Sequence, residues 1–191
     1  MRVSSLKQTE IFAFLAALFL IGVVLSEQQR LENPPIIILS EKNRDFRFPS
    51  GSADVPPAFI EALRKDIIPE LDRLSKKYQC DSIEIIGHTD SVPLKPAHSN
   101  MDYITKKARS VNPGSNLDLG MLRAISVMKI FEEAKQQGAL SDIDYFIPYS
   151  AGQLTLPTKE LTWGHNKKGD DARRRIEVRL LRSNQTYQID Y

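Results

Sequence analysis

Fifteen consecutive residues without a charge, Ile11 to Leu25 (IFAFLAALFLIGVVL), divide this 191-residue chain into two unequal parts. A run of that kind is out of place on the surface of a water-soluble domain, so it has to be accommodated apart from whatever follows. Arg2 and Lys7 precede it, and Glu27, Arg30 and Glu32 follow. With the positive flank held in the cytoplasm, the rest of the chain is sent outward. A secretory signal has an apolar region of about 7–15 residues, and Val24-Leu25-Ser26 passes as its cleavage site. A spanning helix needs about 20 residues, so this one borrows Thr9 and Glu10 on one side and Ser26 to Gln29 on the other. A retained anchor over residues 11–29, behind a cytoplasmic segment at 1–10, is favoured over cleavage. Ala13 and Ala17 are four apart, a spacing that lets another helix approach closely. Glu10 sits at the cytoplasmic mouth of this segment. It reads either as a flank charge among headgroups or, if neighbouring helices bury it, as a proton carrier.

The remaining length suffices for one domain with a sizeable core. Hydrophobic residues at 41% and charged ones at 26% are ordinary for a globular fold. A net charge of +2 is too small to indicate a nucleic-acid partner. The lone Cys80 excludes an internal disulfide framework and reads as a helix-to-strand connector. Because no cysteine adjoins the apolar run, a lipid-anchored lipoprotein is excluded too.

Glu27 to Asp45 is polar or extended, with Pro34-Pro35 and a short apolar strand at Ile36–Leu39, and residues 30–44 are assigned to a linker. Nineteen residues reach roughly 60 Å when fully stretched. Phe46 and Phe48 alternate with Arg47 as in a strand that ends at Pro49-Ser50-Gly51-Ser52. A first helix is predicted over Pro57–Tyr78, its apolar face formed by Phe59, Leu63, Ile67, Leu71, Leu74 and Tyr78. Pro69 falls inside this helix and should kink it. Ser82–Gly87 (SIEIIG) reads as a core strand. A second helix spans Leu117–Gln137, with Met121, Ala124, Ile125, Met128 and Phe131 as its stripe and Gly138 as its stop. Strands at Asp144–Ser150 and Arg174–Leu181 close the fold. The order strand, helix, strand, helix, strand, strand indicates an α/β (α+β) sandwich, with helices on one face of a mixed sheet.

The chemistry-bearing residues gather at the element ends. The first core strand runs into Gly87-His88-Thr89-Asp90. The second helix opens with Asn116-Leu117-Asp118-Leu119-Gly120-Met121-Leu122-Arg123-Ala124, in which Asn116 and Arg123 share a face two turns apart. The last strand begins Arg173-Arg174-Arg175-Ile176-Glu177-Val178. Taken singly, Asp90 is a turn residue, Asn116 an N-cap and Arg123 a surface ion-pair partner. Together, a Gly-His-Thr-Asp strand end, an Asn-x-x-Leu-Gly-x-x-Arg-Ala helix start and a basic Arg-Arg-Ile-Glu-Val strand closely resemble the OmpA-like family. The turn Phe46 to Ala53 adds to the likeness, which spans residues 45–182 and leaves 183–191 as a tail.

The resemblance implies a βαβαββ domain that binds peptidoglycan non-covalently through the diaminopimelate of the stem peptide. On that reading Arg123 holds the ligand carboxylate, aided by the positive N-terminus of its helix. Asp90 pairs the ammonium, Asn116 orients the site and Arg174 borders it. His88 is read as structural. A metal site from His88, Asp90 and His165 lacks tight ligand spacing. With no nucleophile–base pair and no phosphate-cradling loop, neither an enzyme nor a cofactor is expected. Two departures from the family pattern stand out: Arg173 (or Ala172) replaces its usual asparagine, and the 25-residue stretch 91–115 exceeds its commonest loop. That insert carries Lys95, Lys106, Lys107 and Arg109 against Asp102.

A membrane segment followed by such a domain resembles the B subunit of ion-driven motors, of the MotB flagellar type or the Zorya phage-defence type. The resemblance places the protein in a bacterial inner membrane with its folded domain in the periplasm. It implies a homodimer, a multi-span MotA-like A subunit as partner, and Glu10 as the proton-carrying carboxylate. The competing reading is a plain tether or a secreted wall-binding module.

Overall fold

The structure, a computed structural model, describes residues 3–31, 33–95, 98–103, 111–163 and 169–183. Lys106, Lys107, Arg109, His165 and the tail beyond Ser183 lie outside the described residues. The chain divides into two compact units, Met1–Asn33 and Pro34–Tyr191.

The first unit is the helix α1, Val3–Leu31. Every residue from Ile11 to Leu25 is exposed, with Phe12 and Phe19 at 69% and 72%. Over this stretch the helix is apolar around its whole circumference. Among the described residues no helix is long and apolar enough to cross a membrane, so the structure does not supply the spanning segment expected at 11–29.

The second unit is an α+β fold built on a four-stranded mixed sheet. Its strands are β1 (Ile37–Ser40), β2 (Ser82–His88), β3 (Tyr145–Gly152) and β4 (Arg175–Leu181), in the spatial order β1-β4-β2-β3. β2 and β3 are parallel, and β4 runs antiparallel to both β1 and β2. The predicted element order holds. The short strand expected at Ile36–Leu39 forms, as Ile37–Ser40, but it is the sheet edge rather than part of a linker outside the domain, while Arg44–Phe46 forms a 3₁₀ turn where a second strand was expected. Nothing local ties so short a strand to the sheet, because its partners on β4 lie well over a hundred positions later.

Helix α2 (Pro57–Ala62) and helix α3 (Ile68–Tyr78) are joined by a π-helical turn, Leu63–Ile67. Pro69 explains the turn. It has no N–H to donate, and its ring presses on the carbonyl four residues back, so the chain widens and Ile68 donates instead to Leu63 O. Phe59, Leu63, Leu71, Leu74 and Tyr78 all point into the core, as their spacing requires. Helix α4 (Asn116–Gln136) turns a slightly different face inward from the one predicted. Ala124, Val127, Ile130, Phe131 and Ala134 are buried, while Met121, Ile125 and Met128 are only half-buried. The helix is apolar over a broad arc, so periodicity alone leaves its rotation open and the sheet decides it. Ile83 and Ile85 of β2 and Ile176, Val178 and Leu180 of β4 complete the core. Each such side chain contributes about 1.5–3 kcal/mol.

One contact sets how α4 sits on the sheet. A Cβ placed on Gly87 would lie 1.9 Å from the carbonyl oxygen of Gly120, and one on Gly120 would lie 2.8 Å from that of Gly87. The end of β2 and the first turns of α4 thus touch backbone to backbone. Gly87→Ala should force them apart and lower stability by about 3 kcal/mol, the upper end for overpacking a rigid contact. Chemical denaturation checks this, and a wild-type midpoint for the variant would show that the contact is not rigid.

Candidate functional site

The backbone contact brings the end of β2, the start of α4, the turn after Phe48 and the start of β4 around one cleft of about 860 Å³. Ser115 caps α4, its hydroxyl accepting from the Asp118 N–H at 3.2 Å. Asn116 is therefore the first helical residue rather than the cap. Its side-chain amide donates to Val92 O at 3.0 Å, tying the start of the 91–115 insert to the helix. Two turns on, Arg123 enters the cleft wall with only 2% of its surface exposed.

Arg123 is held from several directions. Its Nε donates to Ser52 O at 3.0 Å and its Nη2 to Pro49 O at 3.3 Å, which moulds the Pro49–Ser52 turn around the guanidinium. Its guanidinium carbon stacks 4.7 Å over the Phe48 ring. Phe48 in turn packs edge-on against Phe59 at 5.1 Å, joining the site to the core. Arg123 Nη1 lies 3.4 Å from Glu41 Oε1. Burial pushes the Arg123 pKa down, and Glu41 opposes that shift.

Arg174 is the hub of the charges. Its Nε donates to Glu41 Oε2 at 2.7 Å, its Nη1 to Asp90 Oδ2 and its Nη2 to Asp171 Oδ1. Burial works against the cation, but the hydrogen bonds to Glu41 and Asp90 outweigh it and raise its pKa. Asp90, 6% exposed, also accepts from the Val92 N–H at 3.1 Å and the Asp170 N–H at 3.3 Å. Asp171 additionally pairs with Arg47.

The four residues singled out on sequence, Asp90, Asn116, Arg123 and Arg174, all line this cleft. Sequence reasoning missed Glu41. It is 3% exposed and bridges both arginines, yet it lay inside the presumed linker. Only its place directly after an apolar strand hinted at a structural role. Arg173, where the family pattern has asparagine, turns away from the cleft and donates to Ser91 Oγ and to Gln153 O. Glu10 is exposed on α1, in the other unit. Among the described residues no group of His, Cys, Asp or Glu side chains is arranged to hold a metal ion.

Solved structures to which the chain is similar include a MotB-like protein of Desulfovibrio vulgaris, at 19% identity. That match covers 77% of this chain and 74% of that one, with a TM-score of 0.44. Another is the OmpA-like domain of FopA1 from Francisella tularensis (19% identity, 76% and 73% covered, TM-score 0.39). A third is the periplasmic domain of Helicobacter pylori MotB (17%, 80% and 84%, TM-score 0.38). No family model matches the chain, and no curated protein does.

Strand alternation puts a second buried polar group on the opposite sheet face. His88 is 4% exposed; its Nδ1 lies 3.0 Å from Thr155 Oγ1 and its Nε2 3.3 Å from Glu177 Oε1. Glu177 also accepts from Arg175 at 2.8 Å and from Arg179 at 2.7 Å. Burial holds the His88 pKa below its usual value, Glu177 opposing. The Glu177 carboxyl is held well below the usual range, by His88 first and then, against burial, by Arg179 and Arg175. As pH falls through about 6.5, the unfolded chain takes up a proton at His88 that the folded chain refuses, so stability declines. Glu177 adds its own loss below about 4.3, as pH approaches its depressed folded value. Thermal melts between pH 8 and 5 should show this decline, and His88→Gln should flatten it between 7 and 5. An unchanged slope in the variant would place the titration elsewhere.

Proposed function

We propose that this chain is a cell-envelope protein whose folded unit binds peptidoglycan. The observation that carries the reading is the convergence of Asp90, Asn116, Arg123 and Arg174 on one cleft at the N-terminus of α4. The free end of diaminopimelate is a zwitterion, and a cleft with buried charges of both signs suits it. Arg123 faces the carboxylate chiefly through Nη1, since its Nε and one N–H of Nη2 already serve the Pro49–Ser52 turn. Asp90 faces the ammonium.

The exposed apolar helix α1 supports a membrane attachment for this unit. A cylinder apolar on all sides needs lipid or other helices to cover it. In the fuller reading the chain is single-pass in a bacterial inner membrane, with its N-terminus cytoplasmic and its folded unit periplasmic. It acts there as the homodimeric B subunit of a proton-driven motor, beside a multi-span MotA-like A subunit, in motility or phage defence. Glu10 carries the proton.

Full-length protein, purified in mild detergent, should co-sediment with diaminopimelate-type peptidoglycan. Asp90→Asn and Arg123→Lys should each weaken that binding by about 1.5–3 kcal/mol, the scale of a charge-assisted hydrogen bond. Melting curves run alongside separate lost binding from lost folding. Equal pelleting of wild type and both folded variants would remove the site assignment.

The anchoring is tested in cells. The protein should stay in alkali-washed membranes and retain its initiator region, and a mature N-terminus at Glu27 would rule out both anchor and motor. Glu10→Gln, at equal membrane levels, should abolish motility or phage resistance while wall binding persists. A glutamine variant that performs like wild type would leave a tether.

A further inference from the structure

Glu41 has no place in the binding scheme above, yet it occupies the centre of the site. Its Oε2 is fixed by Arg174 Nε at 2.7 Å. Its Oε1 is buried and receives no hydrogen bond. Arg123 Nη1 lies 3.4 Å from it. Among the described residues Nη1 donates to no other group, while Nε and one N–H of Nη2 serve the Pro49–Ser52 turn. A buried carboxylate oxygen left without a donor is costly. This one is retained against the Nη1 amino group of Arg123, which an incoming anion can use.

Resting on the diaminopimelate reading of the cleft, we infer that Glu41 is a built-in competitor for the ligand carboxylate and thereby sets the affinity and selectivity of the site. In the free protein Glu41 partly neutralises Arg123. A ligand carboxylate reaching Nη1 meets the like charge of Glu41 and has to push its Oε1 aside, while Oε2 stays anchored on Arg174. The strength of binding is then the difference between two carboxylates competing for one guanidinium. A ligand lacking that carboxylate gains nothing from Arg123 and has no competition to overcome. Glu41 therefore acts on one ligand class and not the other.

This role predicts an effect of opposite sign from that of a residue that merely holds the two arginines in place. Glu41→Gln keeps the size and leaves an oxygen for Arg174 Nε, but removes the competing charge. The test uses full-length protein in detergent and two soluble stem tripeptides, one ending in diaminopimelate and one ending in lysine, which lacks the far carboxylate. Affinities are read by calorimetry, with thermal melts on the same samples. Glu41→Gln should bind the diaminopimelate peptide at least threefold more tightly than wild type and the lysine peptide no differently. Glu41→Asp, whose shorter stem withdraws the charge from Arg123, should show the same sign and serves if the glutamine variant does not fold. Unchanged or weaker binding of the diaminopimelate peptide by a folded variant overturns the inference. Arg123→Lys in the same assay separates the two levels. If it binds like wild type, the cleft reading itself fails; if it loses binding while Glu41→Gln gains none, only the role of Glu41 falls.

Discussion

The contact between Gly87 and Gly120 is what the rest of the folded unit is arranged around. Both residues lack a side chain, so the last residues of β2 and the first turns of α4 approach to backbone distance. That approach does two things at once. It seats the apolar arc of α4 on β2 and β3, with Ile83 and Ile85 of β2 in the same core. It also brings the N-terminus of α4 level with the end of β2, which is where Asp90 emerges. Any larger residue at either position would lift the helix and open the cleft at its base.

Around that frame the charges serve arrangement more than stability. Buried ion pairs rarely repay their own desolvation in full, and Arg174 meets three carboxylates while Arg123 meets one at long range. The network instead fixes geometry. Arg174 locks Asp90 to the start of β4, Glu41 joins the edge strand to both arginines, and Arg123 shapes the Pro49–Ser52 turn. The consequence is a cleft whose polar groups are already oriented, so a ligand need not order them on binding. The same pre-organisation makes Glu41 consequential, because a carboxylate already in place has to be outcompeted.

Much of this was legible in the chain. Hydrophobic spacing located both helical stretches of the folded unit and all four strands to within a residue or two, and the resemblance to the OmpA-like family singled out Asp90, Asn116, Arg123 and Arg174, which line one cleft. The failures have distinct causes. The strand at Ile37–Ser40 is legible as a strand but not as part of the sheet, because its partner Arg175–Val178 is remote in sequence. The face of α4 was misjudged because Met121, Ile125 and Met128 are as apolar as Val127 and Ile130, which are the buried ones. Asn116 was a plausible cap until Ser115 was seen in that role.

What the sequence determined alone is whatever follows from short-range periodicity and residue type. That includes the separation of an apolar helix from a mixed α+β unit, the order of the elements, and the kind of charge at each element end. The tertiary structure decided which of those charges meet. Glu41 is 82 positions from Arg123 and 133 from Arg174, and no local pattern relates them. Sheet pairing of β1 with β4 carries the carboxylate to the arginines, and strand register is settled by burial along the whole sheet rather than by any neighbouring residue.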